Sequence, residues 1–129
     1  MARAEVVYEL IIKEDFAAAH RLLNYHGSCE KLHGHNFKVE ITVRAKELDD
    51  IGLALDFREL KEVARKVLAG FDHTVLNELP EFQNQNPSAE NISRCLFSAL
   101  APVINRDRVE LYRVTVWESD HAAASYWRE

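Results

Sequence analysis

Cysteine is scarce: Cys29 and Cys95 are the only two in the chain, too few for a disulfide framework. Proline and glycine number only three and four, and they form no Pro/Gly-rich linker, so nothing divides the chain. No uninterrupted apolar run approaches the ~20 residues of a membrane span. Positive charge is in deficit. Sixteen Lys and Arg stand against 21 Asp and Glu, a formal net charge of -5, which argues against nucleic acid or an anionic membrane as the main partner. A local basic pocket for a phosphorylated small molecule is compatible with that balance. The opening residues, M-A-R-A-E-V-V-Y-E-L, carry no long apolar h-region and no small-residue cleavage site. No secretory signal is therefore expected, and the cytoplasm is the expected compartment. Apolar content is ample: 47% of the 129 residues are hydrophobic. That suffices for one core in a single domain spanning 1–129, and is too much for a disordered chain.

Periodicity supplies the elements. The β-branched and aromatic run V-V-Y-E-L-I-I at 6–12 reads as a strand that continues toward 16–20. Residues 37–44 alternate: Phe37, Val39, Ile41 and Val43 share one face, and Lys38, Glu40, Thr42 and Arg44 the other. That is the pattern of a half-buried antiparallel strand. A helix starts at Asp56, with Glu59 completing a capping-box variant. Leu60, Val63, Ala64, Val67 and Leu68 form its apolar face, and Gly70 is expected as its C′ residue. A second helix follows Asn86-Pro87 with Ser88 as N-cap. Its stripe is Ile92, Cys95, Leu96, Ala99 and Leu100, and Pro102 is expected to end or kink it. Residues 111–117 and 123–127 supply two more strands. The order ββααββ predicts an α+β fold: a four-stranded antiparallel sheet with both helices on one face. Its two open edges are expected to pair between subunits.

Chemistry concentrates in the stretch G-S-C-E-K-L-H-G-H-N-F at 27–37. Side chains at i and i+2 of an extended strand point the same way, so His33 and His35 can share one metal ion. His20, ending the small-residue run A-A-A-H, is the best third ligand. Three neutral imidazoles suit Zn²⁺ and leave one coordination position open. The alternatives are two packed histidines, or a closed structural site with Cys29 as fourth ligand. Cys29 lies in a polar loop, unlike Cys95, which falls on an apolar helical stripe. Asp72 beside His73 could tune proton transfer. Glu118, at a strand end, could hold a guanidine-like heterocycle edge. Glu90, in the first turn of the second helix, has a purely structural explanation in the helix dipole.

Six motifs then stand in register: F-A-A-A-H (16–20), C-x-x-x-H-G-H (29–35), L-D-F (55–57), F-D-H-x-x-L-N (71–77), N-P-S-A-E-N (86–91) and V-W-E-S (116–119). From about residue 6 onward the chain resembles the 6-pyruvoyl-tetrahydropterin synthase family. That family includes the bacterial 6-carboxy-tetrahydropterin synthases of queuosine biosynthesis. The resemblance implies a tunnelling fold whose four-stranded subunits close an oligomeric barrel, a homo-hexamer of two stacked trimers with active sites between subunits. It implies Zn²⁺ on His20, His33 and His35, a catalytic Cys29, and Asp72 and His73 as proton-transfer partners from a neighbouring subunit. Glu118 matches the carboxylate that holds the pterin ring, and Glu90 matches a second pocket glutamate. Ser88 stands where many members have threonine.

The implied substrate is 7,8-dihydroneopterin triphosphate, and the implied activity is a zinc-dependent lyase that releases triphosphate and acetaldehyde. The branches are the carboxy, pyruvoyl and hydroxymethyl-forming enzymes. The last, serving folate synthesis, is associated with a glutamate at or beside the cysteine, which brings Glu30 into play. The expectation is the carboxy branch. The opposing class is a non-enzymatic zinc scaffold held by three histidines and Cys29. Arg44, Lys46 and Arg113 are the candidate triphosphate contacts.

Overall fold

The computed structural model describes residues 6–129. The first strand, β1 (Tyr8–His20), runs unbroken through its charged middle. It pairs antiparallel with β2 (His33–Ala45) over its whole length, from Tyr8 opposite Ala45 to His20 opposite His33. Even positions of β1 and odd positions of β2 meet on one face. There Phe16 stacks on Phe37 with ring centroids 5.0 Å apart, and Val39, Ile41 and Val43 are fully buried. β2 then pairs with β4 (Glu110–Ser119), and β4 with β5 (Ala122–Trp127), both antiparallel.

The sheet has five strands rather than the expected four, in the order β3-β1-β2-β4-β5. The extra strand, β3 (Thr74–Val75), lies parallel to Ala18 and Ala19 of β1. Two residues cannot show a period, so pairing rather than sequence pattern makes this strand. The His73 N–H donates to the Ala17 carbonyl at 2.6 Å, and Asp72 Oδ1 accepts the Ala17 N–H at 2.9 Å.

Helix α1 (Phe57–Leu68) starts where expected, with the Asp56 carboxylate accepting the Arg58 N–H at 2.8 Å. The reciprocal half of the capping box does not form, because Glu59 pairs instead with Arg106 Nη1 at 2.8 Å. Nor does Gly70 take the left-handed C′ conformation; the positive φ falls at His73, at 58°. Tight turns close the end of α1, with the Phe71 and Asp72 N–H groups both donating to the Leu68 carbonyl.

Helix α2 (Ala89–Ile104) is capped by the Ser88 hydroxyl, which accepts the Asn91 N–H at 3.2 Å. It passes through Pro102 instead of ending there. Pro102 lies in the last turn, where its missing N–H forfeits a single helical bond. Of the expected stripe, Ile92, Leu96 and Leu100 are buried, but Ala99 is exposed. Phe97 and Ser93 take its place, because α2 leans toward β5, where Phe97 meets Tyr126 edge-on at 5.2 Å. Both helices cover the face that carries Phe16, Phe37 and Val39, and the core lies between. Among the described residues, no helix is long and apolar enough to cross a membrane.

Candidate metal centre

The register of the first hairpin assembles the centre. His20 sits directly opposite His33, and Ala18 opposite His35. The two-residue period puts His35 on the same face, and a small alanine across from it leaves room for the ring. Ring centroids lie 4.8 Å apart for His20 and His33, 5.3 Å for His20 and His35, and 4.9 Å for His33 and His35. Glu118, near the end of β4, reaches the same spot. Ligand atoms of these four residues lie within 4.8 Å of one another; His20 is buried and the other three are half-buried.

Backbone carbonyls fix which ring atoms face inward. His20 Nδ1 is 2.7 Å from the Pro87 carbonyl, and His33 Nδ1 is 2.8 Å from the Lys31 carbonyl. A carbonyl can only accept, so both Nδ1 atoms carry the proton and both Nε2 atoms present lone pairs. His20 Nε2 and His35 Nε2 are buried without a hydrogen-bond partner among the described residues. Glu118 Oε1 is 3.0 Å from His35 Nε2 and 3.5 Å from His20 Nε2. The shorter approach lacks hydrogen-bond alignment, so it does not satisfy the nitrogen. Burial holds the His35 pKa below the ordinary imidazole value, against the upward pull of Glu118, and His20 and His33 lower it further. Imidazoles with converging nitrogens, two of them buried and unsatisfied, beside a carboxylate fit a divalent ion such as Zn²⁺.

The other expected residues are placed differently. Cys29 is exposed and lies outside the four-residue group, whose fourth donor is Glu118. Asp72 Oδ2 and His73 Nδ1 are 2.8 Å apart, so the dyad exists, with the His73 side chain 83% exposed. The Ala17 N–H, and after it His73, holds the Asp72 carboxyl below the usual carboxylate range. His73 borders a shallow depression with Ala17, Ala18, Ala19, Gly34, His35 and Asn36. The dyad is not part of the group formed by His20, His33, His35 and Glu118. Glu90 is exposed, and the Ser88 hydroxyl is engaged as a helix cap.

Arg44 and Arg113 lie at the far end of the sheet. Arg44, and Thr42 opposite Arg113, are roughly 23–30 Å along β2 from His35 at ~3.3 Å per residue. Arg44 pairs with Glu9 at 2.8 Å and stacks on Tyr112, while Arg113 stacks on Tyr112 and Trp127. Neither belongs to this site within one chain, and Lys46 lines a cavity at that same end. Sequence reasoning missed Glu118 as a neighbour of the imidazoles, and also the Pro87 and Lys31 carbonyls that orient them. Backbone carbonyls carry no side-chain signal; Glu118 did, as the carboxylate ending a strand.

A family model described as 6-pyruvoyl tetrahydropterin synthase matches residues 9–129. The chain belongs to this family. A protein of Archaeoglobus fulgidus, provisionally named a 6-carboxy-5,6,7,8-tetrahydropterin synthase, is 44% identical over 90 residues, covering 70% of this chain and 73% of that one. The 6-carboxy-5,6,7,8-tetrahydropterin synthase of Rickettsia typhi is 32% identical over 111 residues, covering 73% and 80%. The structure of 6-pyruvoyl tetrahydropterin synthase from Caenorhabditis elegans superposes with a TM-score of 0.84 at 25% identity, covering 99% of this chain and all of that one. Within the family, the sequence is thus most like the 6-carboxy members.

Proposed function

We propose that this protein is a zinc-dependent 6-carboxy-5,6,7,8-tetrahydropterin synthase acting in queuosine biosynthesis in the cytoplasm. It converts 7,8-dihydroneopterin triphosphate and water to the 6-carboxy pterin, triphosphate and acetaldehyde. The observation that carries this reading is the convergence of His20, His33, His35 and Glu118 in a chain most like 6-carboxy synthases.

His20, His33 and His35 would hold Zn²⁺ through Nε2. When bound, the ion supplies a Lewis acid that acidifies the hydroxyls of the substrate's side chain. Cys29, as thiolate, takes a proton from the side-chain carbon next to the ring. His73, oriented by Asp72 at 2.8 Å, carries protons between substrate atoms. Glu118 holds the guanidine-like edge of the pterin, and Glu90 and Ser88 line the same pocket.

The Asp72–His73 dyad is not part of the histidine cluster of its own chain. On this reading it serves the site of a second copy, within a homo-hexamer of two stacked trimers that closes a barrel. β5 at one edge of the sheet has no strand partner beyond β4 among the described residues, which suits such assembly.

The pyruvoyl product is the second reading, favoured by the superposition on the Caenorhabditis elegans enzyme. The hydroxymethyl branch would use Glu30 as a base; its Oε1 accepts the Leu22 N–H at 3.0 Å, which supports a structural role for this carboxylate instead. A closed scaffold of three histidines and Cys29 needs the thiol in the cluster, whereas Cys29 is exposed and outside the group of His20, His33, His35 and Glu118.

The test is a product assay. Zinc-loaded protein is incubated with 7,8-dihydroneopterin triphosphate, the pterin is identified by mass spectrometry, and acetaldehyde is measured in parallel. A 6-carboxy product with equimolar acetaldehyde is expected. A pyruvoyl or hydroxymethyl product would reassign the branch, and absence of turnover would overturn the reading.

A further inference from the structure

β1 ends at His20, but the backbone of the next three residues remains fully paired, mostly by side chains. The Arg21 N–H donates to Asn77 Oδ1 at 2.9 Å, and Asn77 Nδ2 donates to the Arg21 carbonyl at 2.9 Å. The Leu23 N–H donates to Asn86 Oδ1 at 2.8 Å, and Asn86 Nδ2 donates to the Leu23 carbonyl at 3.1 Å. Leu22 between them turns the other way. Its N–H donates to Glu30 Oε1 at 3.0 Å, and its carbonyl accepts the Glu30 N–H at 2.9 Å.

This is the alternating pattern of a central strand, with two carboxamides standing in for one neighbour and Glu30 for the other. A primary carboxamide offers one donor and one acceptor side by side, as a strand edge does. The clamps are themselves held. Gln83 Nε2 donates to the carbonyls of Asn77 at 3.0 Å and Leu79 at 2.8 Å, and Asn91 Nδ2 donates to the Asn86 carbonyl at 2.9 Å.

Beyond Leu23 the chain reverses through Asn24, His26 and Gly27, all at positive φ. The Ser28 N–H donates to the Tyr25 carbonyl at 3.0 Å, and the chain arrives at Cys29. Cys29 thus hangs one residue from the Glu30 clamp, in a loop whose two ends are metal-ligand candidates. Both asparagines recur in the motifs at 71–77 and 86–91, where chemistry gave them no task.

We propose that Glu30, Asn77 and Asn86 are positioning residues, which extend the sheet beyond His20 and so fix the Cys29 thiol relative to the histidine cluster. Glu30 acts as a hydrogen-bond acceptor, not as a proton acceptor. The inference rests on the reading of Cys29 as catalytic.

The experiment compares Glu30→Gln, Glu30→Ala, Asn77→Asp and Asn86→Asp in the zinc-loaded protein. Glutamine keeps the acceptor for Leu22, whereas aspartate loses the donor to Arg21 or Leu23. Three quantities are read: bound zinc, the pH profile of Cys29 alkylation by iodoacetamide, and kcat and KM separately. A misplacement on the order of 1 Å costs up to roughly a hundredfold in rate. Glu30→Ala, Asn77→Asp and Asn86→Asp should therefore lose about tenfold or more in kcat with little change in KM, shift the alkylation profile, and still bind one zinc per chain.

Glu30→Gln should restore both the native alkylation profile and kcat. If it were as inactive as Glu30→Ala while alkylating normally, Glu30 would be a base and the proposal wrong. An unchanged alkylation profile in all four variants would equally overturn it. Should Cys29→Ala retain full activity, the catalytic reading of Cys29 fails; the alkylation profiles still report separately whether the clamps hold the loop.

Discussion

Adding zinc to metal-free protein should raise its thermal stability by a predictable amount. Without an ion, His20 Nε2 and His35 Nε2 are buried without partners, a state that costs on the order of 1–3 kcal/mol per group. An ion bound only by the folded chain stabilises it by about 2.7 kcal/mol at a hundredfold excess over Kd. Unfolding entropy near ~2.1 cal/mol/K per residue gives roughly 0.27 kcal/mol/K for a chain of 129 residues. The expected rise in Tm on adding zinc to chelator-treated protein is therefore about 10 °C.

His35→Ala is the decisive variant. Its side chain is 27% exposed, so truncation disturbs the core less than loss of His20 would. A hundredfold weaker site at the same zinc concentration retains only about 0.4 kcal/mol of stabilisation, or roughly 1.5 °C. Differential scanning calorimetry on matched samples reads both values. If His35→Ala kept nearly the whole shift, the ion would be held elsewhere and the reasoning from converging Nε2 atoms would fail.

Other outcomes follow from the same geometry. The Asp72 carboxyl is held below its usual range by the Ala17 N–H and His73. It contributes stability above the ordinary carboxylate pKa, and that contribution is lost as pH falls through the depressed value. Asp72→Asn should flatten the acid limb of stability below about pH 4, followed by circular dichroism; an unchanged limb would show that the contacts do not matter. Burial pushes the Cys95 thiol up whereas Cys29 is exposed, so brief alkylation at mild alkaline pH should label Cys29 alone. A peptide map with equal labelling would contradict the partial burial of Cys95. Ile41→Ala removes a fully buried side chain and should cost about 2–5 kcal/mol in urea unfolding; a loss below about 1 kcal/mol would mean that the core under β2 is looser than described.

The legible parts of this fold share a physical cause: they repeat. Phe37, Val39, Ile41 and Val43 alternate, and alternation is what a strand with one buried face imposes. The same two-residue period put His33 and His35 on one face before any pairing was known. β3 was invisible because two residues have no period, and its place depends on Ala17, 55 positions from Asp72. The failure at Gly70 is of another kind. Glycine at a helix end permits a left-handed residue but does not require one, and here the reversal was deferred to His73.

The site itself divides in the same way. His20, His33, His35 and Glu118 converge because hairpin register and the β2–β4 ladder bring three strand ends together, and register follows once one face is buried. The Asp72–His73 pair is a weak signal in sequence, since such dipeptides are common; the structure holds the two side chains 2.8 Å apart and anchors both residues to Ala17 of β1. Asn77 and Asn86 carry no task that spacing could assign, since asparagine satisfies local backbone groups in most loops. Here their carboxamides reach 56 and 63 positions back to Arg21 and Leu23. A residue that pairs with backbone leaves no complementary side chain to find in the sequence. Residues of this kind, rather than the ligands they support, are where a motif's unexplained letters acquire a physical task.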